Sequence, residues 1–350
     1  MNLVLSETDK KFSALLLDFY GMIKQDKKEA AAILAEVMDA MKKEVVVEEM
    51  LVSADLLAIR YKIMQEDIHT AEKWMEKFEA LGHALSQVNA YYYHYFKGQI
   101  LFQEKRWKEA IRYYEHAELY LAEEEEKSDF YYKLASAYYH AYIPALSAFN
   151  TAKALHYATA YKQQLHLIKS KLLLGLNYLE VRNFNQAEFY LLESLSSQTS
   201  SDNTSTELVS MIHHNLGLLY FVQLKFEEAV LYFEKAVQTA SRSHYLKTIY
   251  YLTESLFHAD RQQEAMHYHQ IGFEKSKEEQ DLDYQWAFAM LHKQFVDRNC
   301  FEGVWEQGIA YFKSIGDKYS VHYYSLRMAK YYSVKGKAEP ANYYYRLAMQ

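Results

Sequence analysis

Apolar residues recur along this chain at three- and four-residue intervals almost without interruption, and no stretch sustains the apolar/polar alternation of a half-buried strand. Residues 211–240, "MIHHNLGLLYFVQLKFEEAVLYFEKAVQTA", read as two amphipathic helices, with Asn215 standing where a buried apolar side chain is expected. Only 10 glycines and 2 prolines punctuate 350 residues, which argues for helix after helix rather than strands and tight turns. The pattern predicts an all-α fold.

The helical period is itself repeated. With Gly217 as position 8 of a 34-residue unit, Leu216, Tyr220, Ala229, Phe233 and Ala236 fall at positions 7, 11, 20, 24 and 27, the tetratricopeptide pattern. The same frame holds Gly98, Leu101, Ala110, Tyr114 and Ala117, and again Gly175, Tyr178, Ala187, Leu191 and Ser194. Weaker copies run through Ala135, Tyr138, Ser147 and Ala154, through Leu252, Leu256, Ala265 and Gly272, and through Met328, Ala329, Tyr332, Ala341 and Ala348. A degenerate copy is expected around residues 290–315. Small residues at positions 8, 20 and 27 let helices approach closely while large ones fill the spaces between them.

The position-20 residues Ala110, Ser147, Ala187, Ala229 and Ala265 are spaced by 37, 40, 42 and 36 residues, so the units are slightly long. The largest spacing contains "SSQTSSDNTSTE" at 196–207, a polar tract expected to be the longest connection. The acidic run at 123–127 is expected to be a solvated helix end. Residues 1 to about 68 do not fit the frame and suggest three helices, the first ending near Gln25 and the second near Glu44. The expected organisation is a three-helix bundle over 1–68 and a right-handed tetratricopeptide superhelix over 69–350.

Composition narrows the function. The net charge is −7, with Lys and Arg scattered among carboxylates, so direct nucleic-acid binding is set aside. Nothing approaches a run of about 18 apolar residues, and the apolar stretch at the N-terminus is too short for a secretory signal. No membrane partner is expected, and a single cysteine, Cys300, fits a reducing cytoplasm. Fifteen histidines include "HH" at 213–214 and "HYH" at 267–269 but no metal-ligand spacing, and no phosphate-binding or nucleophile motif is present. No metal or cofactor is expected.

In a tetratricopeptide solenoid, positions 2, 5, 6, 9, 12 and 13 of each unit line the inner groove. This resemblance to the repeat assigns the groove Tyr95, Phe96 and Gln99; Tyr132, Tyr139 and His140; Glu180; His214, Asn215 and Phe221; and Tyr250, Tyr251, Glu254, Phe257 and His258. The amide of Asn215 offers both a donor and an acceptor, enough to pair with one peptide unit of an extended ligand. The aromatic rings offer apolar pockets, and Glu180 and Glu254 are candidate acceptors for a Lys or Arg of that ligand. The alternative is that Asn215 faces solvent or bonds a neighbouring helix, and that the carboxylates are ordinary surface charges.

"LLLDFYGMIKQDKKEA" at 15–30, "LLAIRYKIM" at 56–64, "YFKGQILFQEKRWKEAIRYYEHAE" at 95–118, "HHNLGLLYF" at 213–221 and "AKYYSVKGKAEPANYYYRLAM" at 329–349 together resemble the Rap family, the response-regulator aspartate phosphatases of Gram-positive bacteria. The resemblance covers nearly the whole chain. It implies a cytoplasmic quorum-sensing regulator of sporulation or competence. Its bundle would bind a response regulator, by the receiver or the DNA-binding domain, and a short secreted and reimported peptide in the groove would switch it off. Asn215 matches the family's peptide-backbone asparagine, and Glu180 in "NYLE" matches a position where relatives often carry Asp.

One departure stands in the bundle. Phosphatase members present a glutamine that orients the attacking water, and aligning "LLAIRY" places Glu48 there, a carboxylate that repels a phosphoryl group and lacks the amide donor. The rival readings are an active aspartyl-phosphate phosphatase, with Glu48 or another group positioning the water, and a tetratricopeptide scaffold without a peptide switch.

Overall fold

The computed structural model describes residues 6–79, 85–198, 206–239, 242–297 and 301–349. Among them are eighteen α-helices and no strand. The fold is all-α, as the periodicity predicts. The chain forms two compact units, Met1–Ser197 and Gln198–Gln350. The polar tract at 196–207 falls at this division, mostly outside the described residues, as does Cys300.

The first unit opens with α1 (Glu7–Lys24), α2 (Lys28–Met41) and α3 (Glu48–Met64), close to the three helices expected. It continues through α4 (Ile68–Glu79), α5 (Gln87–Gln103), α6 (Trp107–Glu118), α7 (Lys127–His140), α8 (Pro144–Ala160), α9 (Gln164–Glu180) and α10 (Phe184–Gln198). Ser6 caps α1 in a reciprocal arrangement: its hydroxyl accepts from the Asp9 N–H at 3.0 Å, and the Asp9 carboxylate accepts from the Ser6 N–H at 3.1 Å. That carboxylate also accepts from the Val46 N–H at 3.3 Å, which fixes the approach to α3. The bundle does not stand apart. Phe12, Phe19, Leu56 and Ile59 are buried in one apolar cluster with Phe96, Tyr114 and Phe130 of the repeats. Asn89 of α5 binds the Ser53 hydroxyl at 2.7 Å and donates to the Glu49 carbonyl at 3.2 Å.

The second unit is four helical hairpins: α11 (Thr206–Val222) with α12 (Phe226–Thr239), α13 (Arg242–His258) with α14 (Gln262–Glu278), α15 (Leu282–Phe295) with α16 (Phe301–Ser314), and α17 (Lys318–Val334) with α18 (Ala338–Ala348). The third is the degenerate copy expected near residues 290–315. The position-20 residues Ala110, Ser147, Ala187, Ala229 and Ala265 are all fully buried, which is what the spacing argument requires.

Glycine is used at helix crossings more than at turns. A Cβ on Gly98 would lie 2.6 Å from the Tyr114 ring, and one on Gly217 would lie 2.6 Å from the ring of Phe233. Gly316 and Gly336 close two turns at φ 76° and 69°, but most turns are closed by other residues. Lys105, Tyr142, Lys162, Arg182, Leu224, Asp260 and Gln280 take φ of 52 to 61° after a helix end. Each is followed by an N–H bonded five residues back, such as Arg106 to the Leu101 carbonyl at 2.9 Å and Lys225 to that of Tyr220 at 3.0 Å.

One charge pattern departs from expectation. Glu126, in the acidic run, is only 12% exposed: Lys24 pairs with it at 3.4 Å and the Tyr20 hydroxyl donates to it at 3.4 Å. Its carboxylate is an anchor between α1 and the turn leading into α7, not part of a solvated helix end.

Candidate functional site

The second unit gathers most of the candidate residues. On α11, His214 and Asn215 are buried, with 7% and 9% of their surface exposed, and Phe221 lies one to two turns further on. On α13, Tyr250, Tyr251 and Glu254 share a face through their three- and four-residue spacing. Tyr251 meets Phe221 edge-on at 5.4 Å, His214 edge-on at 6.0 Å and Phe233 in a stack at 6.0 Å, which welds the two helices into one aromatic wall.

His214 is held by a hydrogen-bond relay. The Thr248 hydroxyl donates to the His244 carbonyl at 2.9 Å, so it accepts from Nδ1–H of His214 at 3.0 Å. That fixes the Nδ1–H tautomer and leaves buried Nε2 as an unpartnered acceptor. Burial, with Lys247 and His244 nearby, holds the imidazole well below its usual pKa, and it is neutral at pH 7. Asn215, beside it, forms no side-chain hydrogen bond among the described residues. Its amide atoms are not fully buried but reach the solvent-accessible surface, where an extended ligand can replace water as their partner.

Glu254 does not have the role expected of it. It is fully buried and pairs with Arg327 of α17, accepts from the Tyr323 hydroxyl at 3.3 Å and lies 3.8 Å from His258. Burial pushes its carboxyl up, but Arg327 and His258 more than reverse this and hold it below the usual range. The acceptor expected to take a basic residue of a ligand is already occupied by a basic residue of the chain. Sequence reasoning passed over Arg327, although the frame that puts Ala329 at position 8 and Ala341 at position 20 puts Arg327 at position 6, where Asn215 also stands. Tyr323, one turn before, lies under the guanidinium 4.3 Å from its centre.

The remaining candidates are in the first unit. Glu180 ends α9, is exposed, and accepts from the hydroxyl of half-buried Tyr139 at 3.1 Å. Glu48 is the first residue of α3 and is exposed. No helix among the described residues is long and apolar enough to cross a membrane.

No family model matches the chain. It is 26% identical to the transcriptional activator NprA of Geobacillus stearothermophilus over a 369-position alignment covering 100% of the chain and 89% of that protein. It is 27% identical to the regulatory protein RapC of Bacillus subtilis (strain 168), covering 87% and 84%. The chain is a relative of the Rap family. Rap-like structure follows the same line. The apo quorum sensor NprR from B. thuringiensis superposes with a TM-score of 0.85 at 22% identity, over 98% of this chain and 99% of that one. A Rap protein complexed with competence and sporulation factor gives 0.81 at 20% identity, over 97% of each. These structures share the fold of the Rap-like chain.

Proposed function

We propose that the chain is a cytoplasmic, peptide-controlled Rap-like regulator. A short extended peptide binds the face of the second unit formed by α11 and α13, and a response regulator binds residues of about 1–70. The observation that carries the peptide reading is the Asn215 amide, which reaches solvent and has no side-chain hydrogen bond among the described residues, beside an aromatic wall suited to apolar side chains. Among its relatives by fold are a Rap protein complexed with competence and sporulation factor and NprR in complex with its cognate peptide NprX, which supports this reading. With Glu254 occupied by Arg327, this face recognises backbone and apolar groups, and a basic residue is not what it selects.

Regulation would be a coupling between peptide and response regulator, each weakening the other by the same factor. Phosphatase activity is not part of the proposal, because Glu48 occupies the position where the resemblance places the water-orienting glutamine. The test is a titration with penta- to heptapeptides, wild type against Asn215→Ala. Binding that weakens at least tenfold in the variant supports the reading. Equal binding by both removes Asn215 from recognition. The lifetime of a phosphorylated receiver domain should be unchanged by the protein, and accelerated hydrolysis would restore the phosphatase reading.

A further inference from the structure

Two histidines of the second unit that the groove does not use stand side by side. His269 of α14 and His292 of α15 have ring centres 5.3 Å apart, with their planes inclined at 50°. They meet across the joint between two helical hairpins. Their separation of 23 residues along the chain is why the sequence shows no metal-ligand spacing there.

Each ring presents a free nitrogen. Nε2 of His269 lies 2.9 Å from the Phe288 carbonyl oxygen, which can only accept, so Nε2 carries the proton and Nδ1 keeps its lone pair. That Nδ1 reaches solvent and has no hydrogen-bond partner among the described residues. The His292 ring makes no hydrogen bond or ion pair among the described residues, and both its nitrogens reach solvent. The His269 ring is also held in place: it is 7% exposed, sits edge-on to Phe288 at 5.6 Å and stacks on Phe273 at 6.0 Å. Burial, with His292 beside it, keeps the imidazole below its usual pKa against the opposing effect of the Phe288 hydrogen bond, so it is neutral at pH 7.

A neutral imidazole with one nitrogen donating to a backbone carbonyl and the other bare is prepared as metal-binding histidines are, since that outer bond fixes both tautomer and orientation. Two imidazoles bonded at about 2.0–2.1 Å to one tetrahedral ion place their ring centres about 5 Å apart, close to the separation seen here. The other close pair, His94 and His116 at 5.4 Å, lacks this preparation. Nδ1 of His94 is buried and unpartnered, and no hydrogen bond among the described residues fixes its tautomer.

We propose that His269 and His292 form a binding site for a divalent transition ion that prefers imidazole, Zn²⁺ or Ni²⁺, with His269 coordinating through Nδ1. Among the described residues no third histidine, cysteine, aspartate or glutamate joins them, so water completes the coordination sphere. Two neutral nitrogens without a carboxylate disfavour Mg²⁺ and Ca²⁺, which take oxygen ligands. A bound ion clamps α14 to α15 and so fixes the joint between the second and third hairpins of the unit. The site is separate from the Asn215 face, and Asn215→Ala should leave it intact.

The experiment is calorimetry and thermal melting of the full chain in metal-free buffer at neutral pH, with Zn²⁺, with Ni²⁺ and with Mg²⁺ as the control ion. Wild type is compared with His292→Gln, His269→Gln and His94→Gln. His292 makes no hydrogen bond, so without metal His292→Gln should melt with the wild type, which separates its folding from its binding. The expected result is one transition ion per chain, a melting temperature raised by that ion, and affinity weakened about tenfold or more by His292→Gln and by His269→Gln but not by His94→Gln. Electron spin echo spectra with one equivalent of Cu²⁺ read the ligands directly: two coupled imidazoles in the wild type should fall to one in His292→Gln. No binding by the wild type, binding that survives His292→Gln, an equal response to Mg²⁺, or an unchanged imidazole count overturns the proposal.

Discussion

Replacing Gly217 by Ala adds one methyl group at the crossing of α11 and α12. The new Cβ would stand 2.6 Å from two atoms of the Phe233 ring, where ordinary contact begins at 3.4 Å, an overlap of about 0.8 Å. Phe233 is fully buried and packs on His214 at 5.5 Å and Tyr251 at 6.0 Å, so it has no free direction in which to yield. Overpacking of this kind costs about 1–3 kcal/mol, and ~1 kcal/mol of improved helix propensity offsets only part of it. A net loss of up to roughly 2 kcal/mol lowers the melting temperature of a unit this size by up to about 8 °C. The control is Gly303→Ala in the same unit, where an added Cβ meets nothing within 4 Å and a gain of about 0.5 kcal/mol is expected. Thermal and urea unfolding followed by circular dichroism measure both. If the two substitutions shift stability in the same direction, glycine at position 8 is not there for close packing and the argument fails. Displacement of Phe233 also reaches Tyr251, so Gly217→Ala should weaken any ligand of the Asn215 face.

Glu254→Gln leaves the Arg327 guanidinium without its carboxylate and should cost about 3 kcal/mol in urea unfolding, whereas Glu254→Gln combined with Arg327→Met should cost less than the sum of the single changes. His214 is held neutral in the folded chain, while its unfolded counterpart takes up a proton below about pH 6.5. Stability should therefore fall as pH drops from 6.5 toward the folded value, by at most about 1.4 kcal/mol per pH unit from this residue, and His214→Gln should flatten that slope in pH-dependent denaturation. Leu224, 73% exposed, closes a turn at φ 60°, and Leu224→Gly should raise stability by roughly 0.5–1 kcal/mol; a loss would mean its side chain holds the turn.

Helices and repeats were legible because they depend on local spacing. Ala229, Phe233 and Ala236 announce their packing within one hairpin, and the ends expected near Gln25 and Glu44 lie close to those of α1 at Lys24 and α2 at Met41. Asn215 was legible for the same reason, as a polar residue on a face whose frame is known. Charge partners were not. Glu126 reads as one of four glutamates in a solvated run until Tyr20, 106 residues earlier, is seen to donate to it. Glu254 reads as an open acceptor until α17 delivers Arg327. Asp129 of α7 accepts from the Tyr95 hydroxyl of α5 and lies 3.8 Å from Nδ1 of His166 on α9, and no spacing within any one of these helices foretells it. Packing patterns repeat with the helix, whereas ion pairs depend on which helices become neighbours.

The packing of α3, and of Tyr20 on α1, against α5 makes the N-terminal helices the terminal plug of the repeat stack. A solenoid without such a plug exposes the apolar flank of its first hairpin, here Tyr91, Tyr92 and Phe96. Any working cycle that frees these helices to grip a protein partner must strip that flank, and bare rings invite self-association. The partner would then act partly as a chaperone for the surface it uncovers, and the undocked protein without it should be the species most prone to aggregate.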